Sequence, residues 1–464
     1  MTDSTEQQRE ERNSNRSRTP HSAEFLSYIS SGWANRPSVE ISAWPVADFA
    51  QARRKSVHNA FPDRLIRIDA GETKTRSNDT EYRYRPHSAF SHLTGWGAQT
   101  VPGSVLLITP KGESVLFFRP TADRSSEEFF ANSAIGEFWV GARPNLVAVS
   151  KSLALETRDL AELETWPGLD QALDLDDEKL AEFVSELRLI KDEFEIAEMR
   201  QAVDKSIIGF ERVVSCLPTA VASKRGERVV ETAFFSAARE FGHDLGYETI
   251  AAAGEHACIL HWIINDGETK NDDLILVDAG VELESHYTAD ITRTLPISGT
   301  YSPIQRMIYE AVLEAADAAF AVVRPGIRFR EVHAAAMKVI AAKTAEWGLL
   351  PVSAEESLKP EKQFHRRWMV HGTSHHLGMD VHDCAQARAE MYLDAELKPG
   401  MVFTIEPGLY FQPDDELVPA EFRGIGVRIE DDILVTETGA ENLSAALPRA
   451  ATDIENWMNS LLTK

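Results

Sequence analysis

The sequence predicts an α+β chain folded as two domains, and three features point there. Its 464 residues exceed one ordinary domain and can bury more than one core. Short apolar runs closed by Asp, Glu or Gly read as buried strands. Segments with apolar positions every three to four residues, opened by capping residues, read as helices among them.

In chain order, residues 1 to about 25 are mostly Ser, Asn, Arg, Glu and Gln and are expected to be disordered, and the segment 1–45 to be disordered or extended. A first globular unit follows over residues 46–180. Within it, residues 104–108 and 114–118 are strand candidates separated by a Pro110-Lys111-Gly112 turn. Acidic residues from Asp174 to Glu178 mark the approach to a boundary, and the second domain is expected over 181–464. Asp192 opens a helix: Glu195 completes a capping box, and Ile196, Met199, Val203, Ile207 and Phe210 share one face. Ser302-Pro303 opens another, because proline is tolerated in the first helical turn, and Pro325-Gly326 stops it. No short tandem repeat is visible.

Four strand candidates of the second domain end on an acid or are preceded by one. Asp278 closes the apolar run 274–277, and Asp290 precedes 291–294 across the turn-rich Glu284-Ser285-His286, so the pair reads as two arms of a hairpin. Glu406 closes 401–405 just before Pro407-Gly408. In 425–430, period-two alternation sends Val427 and Ile429 to one face and Arg428 and Glu430 to the other. Any one of these acids is explained as a strand-end residue. Four together are not, because a buried carboxylate without compensation is strongly unfavourable, and metal ions would compensate them. With His375 in His371-Gly372-Thr373-Ser374-His375, they make four carboxylates and one imidazole, the inventory for two divalent ions. Such ions sit about 3.5–4 Å apart and make a water between them a usable nucleophile near neutral pH. Hydrolysis is the chemistry this predicts.

Of the 14 histidines, His21, His58 and His365 lie in polar stretches and receive no role. His261 follows Cys258-Ile259-Leu260, His371 heads the glycine-containing turn, and His382 lies in Met379-Asp380-Val381-His382-Asp383. A lone histidine beside apolar residues is ordinarily a satisfied core residue. Here the company of the acids favours function. His375 and His376 are adjacent, and neighbours in an extended segment point opposite ways, so one of them faces the metals; for His376 a partly exposed packing role is expected.

In order and local context, Asp278, Asp290, His375, Glu406 and Glu430 resemble the metal ligands of the metallopeptidases with the pita-bread fold, the methionine aminopeptidase, prolidase and aminopeptidase P group. Val277-Asp278-Ala279-Gly280, Ala289-Asp290-Ile291-Thr292-Arg293-Thr294, Ile405-Glu406-Pro407-Gly408-Leu409-Tyr410 and the run from Arg423 to Asp432 look like bacterial aminopeptidase P, the Xaa-Pro aminopeptidases. Arg76-Ser77-Asn78-Asp79, Tyr82-Arg83-Tyr84-Arg85 and Leu93-Thr94-Gly95 are similar to that subfamily's N-terminal domain. The resemblance spans about residues 45 to 455.

It implies a C-terminal pita-bread catalytic domain behind a smaller α/β N-terminal domain, and cleavage of the peptide bond between an N-terminal residue and a following proline. Asp278 would be a bidentate ligand of one metal, His375 and Glu406 would serve the other, and Asp290 and Glu430 would bridge. Two divalent ions are implied, Mn²⁺ by family habit with Co²⁺ or Zn²⁺ as alternatives, and a carboxylate-rich shell with one imidazole suits such hard or borderline ions. Glu406 is the candidate proton carrier, His371 and His382 resemble outer imidazoles that assist at the tetrahedral intermediate, and His261 resembles a substrate-side histidine. Arg428 and Tyr410 would support the ligands from behind. The family also implies a homodimer or homotetramer acting on peptides with proline second. Two departures stand out: the loop from Asp278 to Asp290 is one residue longer than is common, and His376 replaces the usual proline or aromatic residue.

Prolidase is the nearest alternative, although prolidases usually carry Gly where this chain has Ser374. A metal-free pita-bread module that binds proteins is the alternative from another class, and retention of all five ligand types opposes it, as it opposes a creatinase-like enzyme. A formal charge of −25, from 48 basic and 73 acidic side chains, argues against nucleic-acid or anionic-membrane binding. Cys216, Cys258 and Cys384 make no CxxC spacing, and neither HExxH nor GxSxG occurs. No apolar run reaches about 20 residues and the N-terminus has no hydrophobic signal core, so a cytoplasmic protein is expected.

Overall fold

The computed structural model describes residue 20 and residues 22–34, 40–78, 80–142 and 145–462. Most of the stretch expected to be disordered lies outside them, as do His21 and Asp79. Within the segment expected to be disordered or extended, however, α1 (Ala23–Ile29) is a helix, capped by Ser22, whose side chain accepts from the Phe25 N–H at 3.2 Å. Few apolar residues were needed: Phe25 meets Phe130 edge-on at 5.4 Å, and Trp33 meets Phe129 at 5.8 Å.

In the first domain, α2 (Ala47–Ala60) precedes β1 (Ile66–Asp69), and α3 (Ser88–Thr94) leads to β2 (Val105–Ile108) and β3 (Ser114–Phe118), with β4 (Glu156–Asp159) completing the sheet. Strand order is β1-β2-β3-β4, antiparallel until β4, which runs parallel to β3. The hairpin expected around Pro110-Lys111-Gly112 is present, with Gly112 at φ 81°. Alternation explains why these strands read as unbroken apolar runs. Leu106, Ile108, Leu116 and Phe118 enter one core while Leu107, Val115 and Phe117 enter another, so both sheet faces are covered. Helix α4 (Glu178–Leu187) contributes Leu180 and Val184 to the first of these cores, so a division at 180/181 cuts through a helix.

Helix α5 (Glu193–Val221) opens the second domain with the expected Asp192–Glu195 capping box, and α6 (Gly226–Phe241) pairs with it. Strands β5 (Ile250–Ala253), β6 (Leu274–Ala279) and β7 (Ile291–Pro296) form one antiparallel sheet in the order β7-β6-β5. A second helix pair follows, α7 (Pro303–Val322), capped by Ser302 as expected, and α8 (Arg330–Glu346). The chain ends with β8 (Val402–Ile405), β9 (Gly408–Phe411), β10 (Ile425–Arg428), β11 (Asp431–Val435), β12 (Ala440–Asn442) and α9 (Ala451–Leu462). β8 pairs with β11, and β9 with β10. Hydrogen bonds from Glu430 N to Thr292 O at 3.1 Å and between Thr294 Oγ1 and Arg428 O at 2.9 Å join the two strand groups.

The domains meet on a buried polar cluster. Arg53 of α2 donates to Asp192 Oδ2 at 2.7 Å, and His92 Nε2 of α3 stands 3.3 Å from Glu195, which also accepts from the Tyr287 hydroxyl at 2.7 Å. Burial, helped by Arg53 and opposed by Glu195, pushes His92 down to about 4 from 6.5. The unfolded chain therefore takes up this proton first, and stability falls as pH drops from 6.5 toward 4. The loss amounts to about 3 kcal/mol at its full extent. Thermal melts across that window are expected to show a shallower decline for His92→Gln than for the parent protein; parallel curves would clear His92 of this role.

Candidate metal centre

The two strand groups converge on one cavity of about 580 Å³. Asp278 lies in β6, opposite Thr292 in the antiparallel register, and Asp290 stands just before β7. Glu406 follows β8, and its backbone N–H donates to Thr373 O at 2.8 Å. His375 is held beside β8 by Thr404 N donating to His375 O at 2.9 Å and by His375 N donating to Thr404 Oγ1 at 3.2 Å. Glu430 occupies the link from β10 to β11. All five line this cavity together with His261, His371, His382 and Arg428. Tyr410 supports it from β9. The fold thus brings the five side chains singled out in the sequence to one cavity.

Ligand atoms of Asp290, His375 and Glu430 lie within 4.8 Å of one another. His375 Nε2 is 3.2 Å from Asp290 Oδ2 and 3.7 Å from Glu406 Oε1. Burial holds the Glu430 carboxyl well above its usual range, and Asp290, Glu406 and Asp278 add to the effect. Burial likewise raises Glu406 to about 7 against the opposing pull of His375 and Arg428. For His375 burial works against the charged ring, but the hydrogen bond to Asp290 and the charge of Glu406 outweigh it and raise the ring to about 9. Four acids crowded in low dielectric favour a compensating cation. A set of carboxylates with one imidazole fits hard or borderline divalent ions.

Behind these acids, Arg428 donates to Asp278 Oδ2, to Thr292 Oγ1 at 3.1 Å and to the Tyr410 hydroxyl at 3.2 Å. That hydroxyl lies 2.7 Å from His371 Nε2, while His371 Nδ1 lies 2.6 Å from Gly372 O. A carbonyl only accepts, so Nδ1 carries the proton and Nε2 accepts from Tyr410. Burial, with Arg428 adding, pushes His371 down to about 3, which keeps the ring neutral. His382 meets the His375 ring edge-on at 4.5 Å, and His261 is exposed at the cavity wall.

Three residues at the centre carry no expected role from sequence. Tyr247 donates from one hydroxyl toward both Asp278, at 2.7 Å, and Asp290. Thr292 Oγ1 donates to Glu430 at 2.6 Å, and Asp432 accepts from the Asp290 N–H at 3.2 Å. Asp432 met the criterion that singled out the other acids, lying in the same apolar strand region; Tyr247 offered no such signal. His376 departs from its expected partly exposed position. It is fully buried, stacked on Phe329 at 4.8 Å and edge-on to Tyr392 at 4.6 Å, because its side of the segment faces the core. His365 is also buried, its Nδ1 2.9 Å from Ser357 Oγ.

Two other places invite comparison. A larger cleft of about 950 Å³ in the first domain, beside Tyr82 and Arg119, contains no histidine. His243, Glu282 and His286 cluster between the domains, but Arg85 already donates to Glu282 at 2.7 Å and supplies the positive charge.

A two-domain α+β chain that gathers four carboxylates and an imidazole in this way has the class characteristics of a metal-dependent hydrolase. The chain belongs to metallopeptidase family M24: residues 197–437 match the model of that family, and residues 49–171 match that of the aminopeptidase P N-terminal domain. It is 47% identical to Xaa-Pro aminopeptidase 1 of Streptomyces coelicolor, over 95% of this chain and 93% of that protein. It is 33% identical to the Xaa-Pro aminopeptidase of Escherichia coli, over 89% and 97%. Among solved structures, proline aminopeptidase P II from Yersinia pestis superposes with a TM-score of 0.76 at 32% identity, covering 89% of this chain and 99% of the other. Escherichia coli aminopeptidase P with the inhibitor Pro-Leu gives 0.78 at 31%, covering 92% and 100%. The fold is the pita-bread fold with its N-terminal partner domain.

Proposed function

We infer that this protein is a metallo-exopeptidase that hydrolyses the bond between an N-terminal residue and a following proline, an Xaa-Pro aminopeptidase. The observation that carries this reading is the convergence of Asp278, Asp290, His375, Glu406 and Glu430 on one cavity ringed by His261, His371 and His382, in a chain with these relatives. Those five residues would hold two divalent ions, Mn²⁺ in our reading, which when bound activate water and polarise the scissile carbonyl. Glu406, on the cavity wall beside His371 and His375, is placed to carry the proton from the attacking water to the leaving nitrogen. Arg428 fixes Asp278 and, through Tyr410, the tautomer of His371. His371 and His382 act on the developing charge, and His261 faces the substrate. A tertiary amide has no N–H, so a site that packs the proline ring without needing that donor selects it. The protein works in the cytoplasm as a homodimer or homotetramer; among the described residues no helix is long and apolar enough to cross a membrane.

The deciding assay offers Mn²⁺-loaded protein an Xaa-Pro dipeptide, an Xaa-Pro-Xaa tripeptide and a tripeptide without proline. Release of the first residue from the Xaa-Pro-Xaa tripeptide supports the reading. Preference for the dipeptide would make the enzyme a prolidase, and indifference to proline a broader aminopeptidase. In the same assay His371→Ala is expected to keep its metal and lose about a hundredfold in kcat; unchanged turnover would remove His371 from the mechanism.

A further inference from the structure

The chain between β5 and residue 268 carries three residues of the cavity wall, Leu260, His261 and Ile263, yet beyond a short 3-10 helix it has no regular structure of its own. Helix α6 holds it. Glu227, fully buried in the first turn of α6, accepts from Ala253 N at 2.8 Å on Oε1, and His256 Nδ1 lies 2.8 Å from the same oxygen. Its Oε2 accepts from the Trp262 indole at 2.8 Å and from Gly267 N at 2.7 Å. The next residue, Arg228, donates to Ile264 O at 2.6 Å, and the His256 and Trp262 rings stack at 3.9 Å. A Cβ at position 267 would lie 2.8 Å from this carboxylate, which is why the chain passes there as glycine. Asn265, at φ 47° and fully buried, ties the same segment to β5 by accepting from Ala251 N at 3.0 Å and donating to Thr249 O at 2.8 Å.

We propose that Glu227 is a positioning residue for the peptide substrate: one carboxylate gathers both ends of the 253–267 loop and thereby sets where Leu260, His261 and Ile263 stand across from the ligand set. The proposal rests on the aminopeptidase reading above. Glu227 is not among the cavity-lining residues, so its effect passes through the loop. Only a carboxylate presents two acceptor oxygens to donors arriving from both sides. Glutamine keeps the volume but turns one oxygen into an NH₂ that faces the Trp262 and Gly267 N–H groups or those of Ala253 and His256. A loop released in this way is competent for only part of the time, and apparent affinity falls by that fraction, while the ligand set that drives the chemistry is untouched.

Steady-state kinetics on the Xaa-Pro-Xaa tripeptide, metal analysis and amide hydrogen exchange test this together. For Glu227→Gln, KM is expected to rise about tenfold with kcat within about twofold and metal content unchanged. Amides of residues 253–267 should lose protection while those of β6 keep it. Trp262→Phe removes a single donor and should raise KM about threefold, which keeps the proposal testable if Glu227→Gln folds poorly. Combined with His261→Ala, Glu227→Gln should add clearly less loss than it causes alone, because part of its effect passes through His261. Unchanged KM, unchanged exchange in the loop, or full additivity with His261→Ala would each overturn the proposal. Absence of tripeptide cleavage by the parent protein would instead sink the aminopeptidase reading, and the exchange measurement would still decide whether Glu227 orders the loop.

Discussion

Exhaustive chelation is expected to lower turnover on an Xaa-Pro-Xaa tripeptide by about a thousandfold or more, with activity returning when Mn²⁺ is added back. The reason lies in how the acids are arranged. Asp278 and Asp290 share one tyrosine hydroxyl, and Glu430 is held well above the usual carboxylate range by burial and by three neighbouring acids. A carboxylate so placed favours a compensating cation, and a bound pair of cations would supply several kcal/mol of charge stabilisation at the scissile carbonyl. Asp290→Asn should reproduce most of the loss, since it removes a carboxylate that lies within reach of both His375 and Glu430. Because cations bind the folded state, the chelated protein should also melt at a lower temperature. Full tripeptide hydrolysis by protein shown to be metal-free would end the metal reading altogether.

Arg293→Met is expected to cost about 3–5 kcal/mol of stability, because it breaks a buried ion pair and strips several carbonyls of their donor at once. Arg293 is fully buried in β7. It donates to Pro448 O at 2.9 Å, Glu430 O at 2.7 Å, Thr292 O at 2.9 Å and Leu447 O at 3.1 Å, and pairs with Asp431 at 2.8 Å. Methionine fills part of the space but leaves those carbonyls unpaired and Asp431 short of its main partner. Arg449 reaches Asp431 at 3.3 Å from a more exposed position and compensates only in part. Since Glu430 O is among the groups released, metal affinity should weaken along with the denaturation midpoint. A midpoint shift worth less than about 1 kcal/mol would mean that the site is held in place by something other than this residue.

Legibility in the sequence tracked the range of the interaction. The Asp192–Glu195 box, the Ser302-Pro303 start and the turn at Pro110-Lys111-Gly112 each depend on partners a few residues apart, and each stands where expected. The five ligand candidates were legible for a different reason: an acid at the end of an apolar strand carries a burial cost that only a partner or a cation offsets. Local pattern reading did less well with α1, where Phe25 packs against Phe130 and Trp33, just beyond the helix, against Phe129, each about a hundred positions away. It also misjudged His376, where alternation correctly left a single imidazole for the cavity but Phe329 and Tyr392 close over the other one completely.

Residue types and their spacing alone therefore pointed to the class of chemistry, to the five side chains that line the cavity and to the helix starts, because these follow from burial cost and from hydrogen bonds within a turn or two. Folding in three dimensions was needed to recruit Tyr247 to Asp278 and Asp290, to place Arg293 beneath Glu430, and to fasten the His261 loop to Glu227. Arg293 and Glu430 are 137 positions apart, and Arg428 and Asp278 are 150. No periodicity or capping rule encodes such pairings; they exist because the two strand groups bring Asp278, Asp290, Glu406 and Glu430 to the same cavity.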